Sequence, residues 1–183
     1  MPLNRNEFKN KRCYFACEMI NDSYKYDSLT VANFIVASAN ERRLSINMTK
    51  LQKLLYIAYG TYLAVTGARL TNEHPQAWPY GPVFPTTRNR LLKKDLSSIR
   101  MSEECLKEIN QDMEMRSLAN IVLSSFGNKS ASTLSEWSHQ SGSPWDRTVN
   151  KKNFSWGDRI PDEYIQEYFN TIIVKNNGPA RQA

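Results

Sequence analysis

The stretch Met48-Thr49-Lys50-Leu51-Gln52-Lys53-Leu54-Leu55-Tyr56, carried on through Ile57 to Thr66, decides how this 183-residue chain folds. Leu51, Leu54, Leu55, Ala58, Tyr62 and Val65 recur at the three-and-four spacing that puts side chains on one face of an α-helix. Asn47 has the short polar side chain of an N-cap, and Gly67 stands where a helix stops in the left-handed conformation. The spacing predicts a long helix whose apolar face organises a core.

Beyond that helix the period vanishes. Pro75, Pro79, Pro82 and Pro85 cannot lie inside a helix, and each restrains the residue before it to extended geometry. Ala68 to Pro85 is therefore expected to be a rigid, aromatic-studded loop or short hairpin around Trp78-Pro79-Tyr80-Gly81-Pro82-Val83.

Working outward, Ser28 reads as the N-cap of a helix with apolar positions Val31, Phe34, Ile35 and Ala39. Helical pattern resumes at Thr86 or Thr87 and runs through Arg88 to Lys94. Ser102 then reads as the cap of an acidic first turn, Glu103-Glu104, of a helix carrying Leu106 and Ile109. Met113, Leu118, Ile121, Val122 and Phe126 extend helical character to Gly127, and Ser130 opens a short helix with Leu134 and Trp137. Ser143-Pro144-Trp145-Asp146 combines a capping serine, a proline at the first helical position and an early acid. Pro161-Asp162-Glu163 starts a last helix whose pairs Tyr164/Ile165, Tyr168/Phe169 and Ile172/Ile173 make a broad stripe. The expected fold class is mainly α: a single compact helical domain with a small proline-rich loop or β-hairpin insertion. Residues 1–26 are expected to be an N-terminal extension with a short helix at Arg12–Ile20, residues 27–175 the domain, and 176–183 a disordered tail.

Apolar residues make up 40% of the chain and aromatics 11%, enough for a packed core rather than a disordered chain. The formal charge of +6 is unevenly spread. Residues 86–100 hold five Lys/Arg against one Asp, net +4, whereas 101–150 are net −3, which suggests oriented electrostatics toward a partner. Cys13, Cys17 and Cys105 have no framework spacing, and with His74 and His139 they form no closed zinc set, so neither disulfide nor metal is expected. No Gly-rich phosphate loop is present, and no cofactor is expected. The polar Met1–Arg12 segment is unlike a signal peptide, and Leu51–Val65 is too short and too polar to span a bilayer. A soluble cytoplasmic protein with no membrane partner is the expectation.

His139 is the one candidate for catalysis, with Ser135, Ser138, Ser141, Ser143 and Asp146 nearby in sequence. No nucleophile-elbow pattern accompanies them, and a triad requires a geometry that sequence neighbours do not supply. A hydrogen-bonded structural histidine at a helix end is expected instead, and no enzyme activity.

Taken in order, several elements resemble the Panacea domain, a bacterial and phage antitoxin domain. They are Ala32-Asn33, Lys50-Leu51-Gln52-Lys53-Leu54-Leu55-Tyr56, Tyr62-Leu63-Ala64 with Gly67, and Ala77-Trp78-Pro79-Tyr80-Gly81-Pro82-Val83. Ser138-His139 with Ser143-Pro144-Trp145, and Ile165-Gln166-Glu167-Tyr168-Phe169, complete the series over roughly residues 27–174. The chain departs from the pattern at Leu70-Thr71, where the family often has Leu-Phe, and at Pro85.

The resemblance implies an antitoxin of the type II class, associated with prophages and phage defence, that binds and neutralises a cognate protein toxin. A relative that hands its toxin to a Clp-type protease makes a proteolysis adaptor an alternative. A phage protein that uses the scaffold against a host factor is another, as is a DNA-binding regulator resting on Arg88, Arg90, Lys93, Lys94 and Arg100. Nucleic acid is the least expected partner, because the extension is too short for a three-helix DNA reader.

Trp78, Tyr80, Val83, Phe84, Lys50, Lys53 and Arg88 are the expected partner-binding residues. For Lys50 and Lys53 the competing reading is a solvated helix face. For Trp78 it is a lock that fastens the loop to the core helix. Gly81, Pro82, His139 and Trp145 are expected to be structural.

Overall fold

The computed structural model describes residues 24–102, 109 and 111–176. The short helix expected at Arg12–Ile20, the three cysteines, the acidic turn at Glu103-Glu104 and the tail after Asn176 lie outside the described residues.

Seven helices and four short strands are formed among the described residues. They follow the order β1 (Tyr24–Tyr26), α1 (Ser28–Glu41), α2 (Met48–Thr66), β2 (Arg69–Thr71), β3 (Gln76–Trp78), β4 (Gly81–Val83) and α3 (Pro85–Leu91). After a single 3-10 turn at Leu96–Ser98 come α4 (Met113–Phe126), α5 (Ala131–Ser138), α6 (Pro144–Val149) and α7 (Asp162–Asn176). The fold is mainly α, as expected.

The central helix is α2. The Asn47 side chain accepts from the Lys50 N–H at its start, and Gly67 ends it at φ 72°, donating to the Leu63 carbonyl. From Lys50 to Gly60 every residue is buried, whichever way it points. A helix buried on all sides must be surrounded, and α1, α4, α5, α7, β2 and β4 all pack on α2. Leu51, Leu54, Leu55 and Ala58 are fully buried, and burial of each leucine is worth roughly 1.5–3 kcal/mol.

The closest approach is that of α7. A Cβ on Gly60 would lie 2.3 Å from the Phe169 ring, so only glycine lets α7 come this near. Phe169 then stacks edge-on against Tyr56 and Trp137, at centroid distances of 5.6 and 5.9 Å. Ile165 and Phe169 form the buried stripe of α7, whereas Tyr164, Tyr168 and Ile172 are half-buried.

The start of α1 differs from expectation by one residue. Asp27, not Ser28, is the N-cap, its carboxylate accepting from the Thr30 N–H. Ser28 is the first helical residue, and its hydroxyl donates to Glu73. Glu73 also accepts from the Thr86 and Thr87 N–H groups, so a distant carboxylate caps α3, whose own N-cap residue Phe84 makes no side-chain cap.

The last three residues of the expected extension form β1, which pairs in parallel with β2. Lys25 on β1 reaches Asp112 and Glu114 at the start of α4, and Tyr26 donates to Asp112 at 2.6 Å. Leu70 and Thr71, the departure from the family pattern, are wholly buried in β2.

Candidate functional site

The prolines and aromatics that end the helical pattern fold into a hairpin. Its strands β3 and β4 are antiparallel, with Gln76 opposite Val83 and Trp78 opposite Gly81, so Pro79-Tyr80 forms the turn. The outer edge of β3 is occupied as well. Ala77 exchanges backbone hydrogen bonds with Asp158 and Gly157, and Ile160 donates to the Pro75 carbonyl.

Two side chains of α2 fasten the hairpin to the core. Lys53 donates from Nζ to the Pro82 carbonyl at 3.0 Å, and Gln52 accepts through Oε1 from the Phe84 N–H at 2.7 Å. The lysine is 1% exposed and has no carboxylate partner among the described residues, and burial pushes its ammonium down to about 7. Gly81 is moulded around it. Gly81 has φ +96°, and a Cβ there would lie 2.7 Å from Lys53 Nζ and 2.6 Å from Ser138 Oγ.

A second clamp comes from α5 and α6. Ser143 caps α6 through the Asp146 N–H and donates to the Ser138 carbonyl at 2.9 Å, which joins the two helices. Trp145 donates from Nε1 to the Trp78 carbonyl at 2.9 Å, and the His139 ring packs edge-on against Trp145 with centroids 4.0 Å apart. Burial, and then the Lys53 charge, hold the His139 pKa down.

The structural readings of Gly81, Pro82, His139 and Trp145 thus fall on residues that meet in one place. One detail is corrected: His139 caps α5 through its backbone N–H, but its ring Nε2 is buried with no hydrogen-bond partner among the described residues.

The hydroxyls of Ser138 and Ser143 are engaged with backbone. Ser138 donates to the Ser135 carbonyl, Ser143 to that of Ser138, and Asp146 accepts from the Gly142 N–H and from Asn150. Among the described residues no three His, Cys, Asp or Glu side chains gather as a metal site, and no helix is long and apolar enough to cross a membrane.

Several expected contact residues turn inward. Phe84 is fully buried against Tyr59 at 5.8 Å between centroids, and Val83 is 7% exposed. Their apolar side chains complete the core under the hairpin and present no free surface. Lys50 is also not on a solvated face. It is 8% exposed and donates to the Gly127 and Ser45 carbonyls, with its pKa lowered by burial. Sequence alone reads a lysine as surface, but here the aliphatic stems are core and each ammonium has a carbonyl to meet.

The exposed remainder is an aromatic ridge. Tyr80, at the hairpin tip, is 79% exposed. Trp78 is half-buried, with the Arg88 guanidinium 5.5 Å over its ring. Trp156, which sequence reading passed over as part of an irregular link, is 58% exposed and stands 6.4 Å from Trp145 and 5.0 Å from Phe154. The signal available for it was a pair of aromatics, Phe154 and Trp156, in a loop otherwise made of small and polar residues.

The comparisons with known proteins bear on the family of the chain. The family model described as "Antitoxin SocA-like, Panacea domain" matches residues 51–146, which include all but the first three residues of α2, the hairpin and the capped start of α6. The chain is 34% identical over 168 residues to Antitoxin SocA of Caulobacter vibrioides (strain NA1000 / CB15N), covering 82% of this chain and 86% of that protein. No solved structure matches. The residues that fasten the hairpin to the central helix lie within the matched region, and the chain belongs to the SocA-like Panacea antitoxin family.

Proposed function

We propose that the chain neutralises a cognate protein toxin by direct contact, with the hairpin tip as the contact surface. The observation that supports this most is the placement of Tyr80: a tyrosine 79% exposed on a turn whose neighbours on both sides are held by buried hydrogen bonds. A large side chain presented by a rigid turn loses little conformational freedom on binding, which favours affinity. Trp156, 58% exposed and packed against the Trp145 that holds the Trp78 carbonyl, adds a second exposed aromatic, and rigid aromatic anchors of this kind carry much of the energy of protein interfaces.

Co-expression of the chain with the product of the adjacent gene tests the reading. Growth rescue together with a complex that survives purification supports neutralisation by contact. Rescue with loss of the toxin from cells, reversed in a strain lacking the Clp protease, would make the chain an adaptor for degradation. A harmless neighbour that does not co-purify contradicts both.

A further inference from the structure

We propose that the toxin surface recognised at the hairpin tip is acidic, and that it docks across Tyr80, Trp78, Arg88, Arg90, Lys93 and Lys94. This inference rests on the toxin-binding reading and specifies the partner's chemistry.

The sequence places five Lys/Arg and a single acid between residues 86 and 100. That acid forms no ion pair with the cations beside it among the described residues. Asp95 turns its carboxylate to the N–H and hydroxyl of Ser97, at 2.9 and 2.7 Å, and these hydrogen bonds hold its pKa down. Among the described residues Arg88, Arg90, Lys93 and Lys94 have no ion pair, whereas Lys25, Arg147, Lys151 and Arg159 each meet a carboxylate. The dipole of α3 accounts for a cation in its last turn, where Arg88 and Arg90 lie. It does not account for Lys93 and Lys94 beyond the helix, nor for four cations close in sequence that form no ion pair among the described residues.

The cations are continuous with the aromatic tip. Arg88 lies over Trp78, which joins α3 to the hairpin, and a guanidinium stacked on a ring keeps its in-plane N–H donors free for a carboxylate. Leu92, one turn beyond Arg88, is 50% exposed and adds an apolar spot inside the basic patch. Apolar anchors ringed by unpaired cations fit an acidic protein surface with an apolar centre: the anchors supply affinity, and the charges steer the encounter. A duplex fits less well. Phosphate contacts alone lose affinity steeply as salt rises, and only Arg88 and Arg90 of the four cations lie on the seven-residue helix.

The test measures association rates of the purified chain with the adjacent-gene product at 50 and 500 mM NaCl. It compares wild type, an Arg90→Glu/Lys93→Glu/Lys94→Glu triple variant, and Lys129→Glu as a distant charge control. The triple variant is expected to associate about 10- to 100-fold more slowly at low salt, the gap narrowing at high salt, with the control unchanged. Carbodiimide cross-linking of the wild-type complex is expected to join Lys93 or Lys94 to Asp or Glu of the toxin. A toxin that binds wild type and triple variant at equal rates overturns the acidic-partner inference and leaves the toxin-binding reading intact. No binding to wild type removes both. Retention of duplex DNA at 150 mM NaCl that the triple variant loses, with toxin kinetics unchanged, reassigns the patch to nucleic acid.

Discussion

Lys53 Nζ and the Pro82 carbonyl oxygen are 3.0 Å apart, an ammonium 1% exposed and an acceptor from the hairpin 29 residues downstream. The contact explains a lysine in the middle of the core helix. Its stem packs as an apolar side chain, its head satisfies a carbonyl that the hairpin leaves unpaired, and among the described residues no carboxylate pairs with it. The hairpin that presents Tyr80 is therefore held by a buried amino group. Burial drives the Lys53 pKa from 10.5 to about 7.

Stability should depend on pH through this group. Between about 7 and 10.5 the unfolded chain keeps a proton on Lys53 that the folded chain has released, so stability rises with pH across that window. Below about 7 both states hold the proton and the cost of burying the charge is fully present. His139, its pKa also lowered by burial and by Lys53, adds to the loss as pH falls through and below its ordinary 6.5. In urea denaturation, wild type is expected to gain up to about 3 kcal/mol relative to Lys53→Met between pH 7 and 9.5. Parallel curves for the two proteins would place Lys53 in water.

Gly81→Ala should loosen the hairpin more than an exposed loop substitution would. The new Cβ needs φ +96° and meets Ser138 Oγ at 2.6 Å and Lys53 Nζ at 2.7 Å. A loss of about 1–3 kcal/mol in unfolding free energy is expected, from strain and overpacking together. A loss under 0.5 kcal/mol would show that the hairpin shifts freely.

Gln52→Leu preserves the volume and the helix but leaves the Phe84 N–H, buried under the hairpin, without its 2.7 Å acceptor. An orphaned buried donor costs about 1–3 kcal/mol, and its amide should exchange with solvent faster than its neighbours on α2. Unchanged stability and unchanged exchange would mean that another group takes over the Phe84 N–H.

The frame of the fold was legible because it is written in local signals. Asn47 and Gly67 bound α2, Ser130 and Ser143 cap α5 and α6, and each does so in the structure through contacts only a few residues long. What local signals do not carry are pairings made across the fold. Glu73 capping α3, the Ser28 hydroxyl turned to Glu73 instead of capping α1, and the inward turn of Phe84 depend on residues brought together from elsewhere. For the site, Tyr80 was readable because a tyrosine between prolines has nowhere to pack, and it is exposed. Lys50 and Lys53 misled because lysine chemistry points to solvent, and only the carbonyls of Ser45, Gly127 and Pro82 reveal why they are inside. Gln52 stood in plain view in an apolar run. A polar residue there must be hydrogen-bonded, but its partner is 32 residues away.

The central claim is that the exposed hairpin tip, and not the buried motif beneath it, meets the toxin. The most direct measurement is the dissociation constant of the adjacent-gene product for wild type, Tyr80→Ala and Tyr80→Ala/Trp156→Ala, with circular dichroism and thermal unfolding recorded for each. The account predicts that Tyr80→Ala weakens binding by about 2 kcal/mol, roughly 30-fold, and the double variant by more, while helicity and Tm stay at the wild-type values. Wild-type affinity in the folded double variant would contradict it and move the interface away from the hairpin.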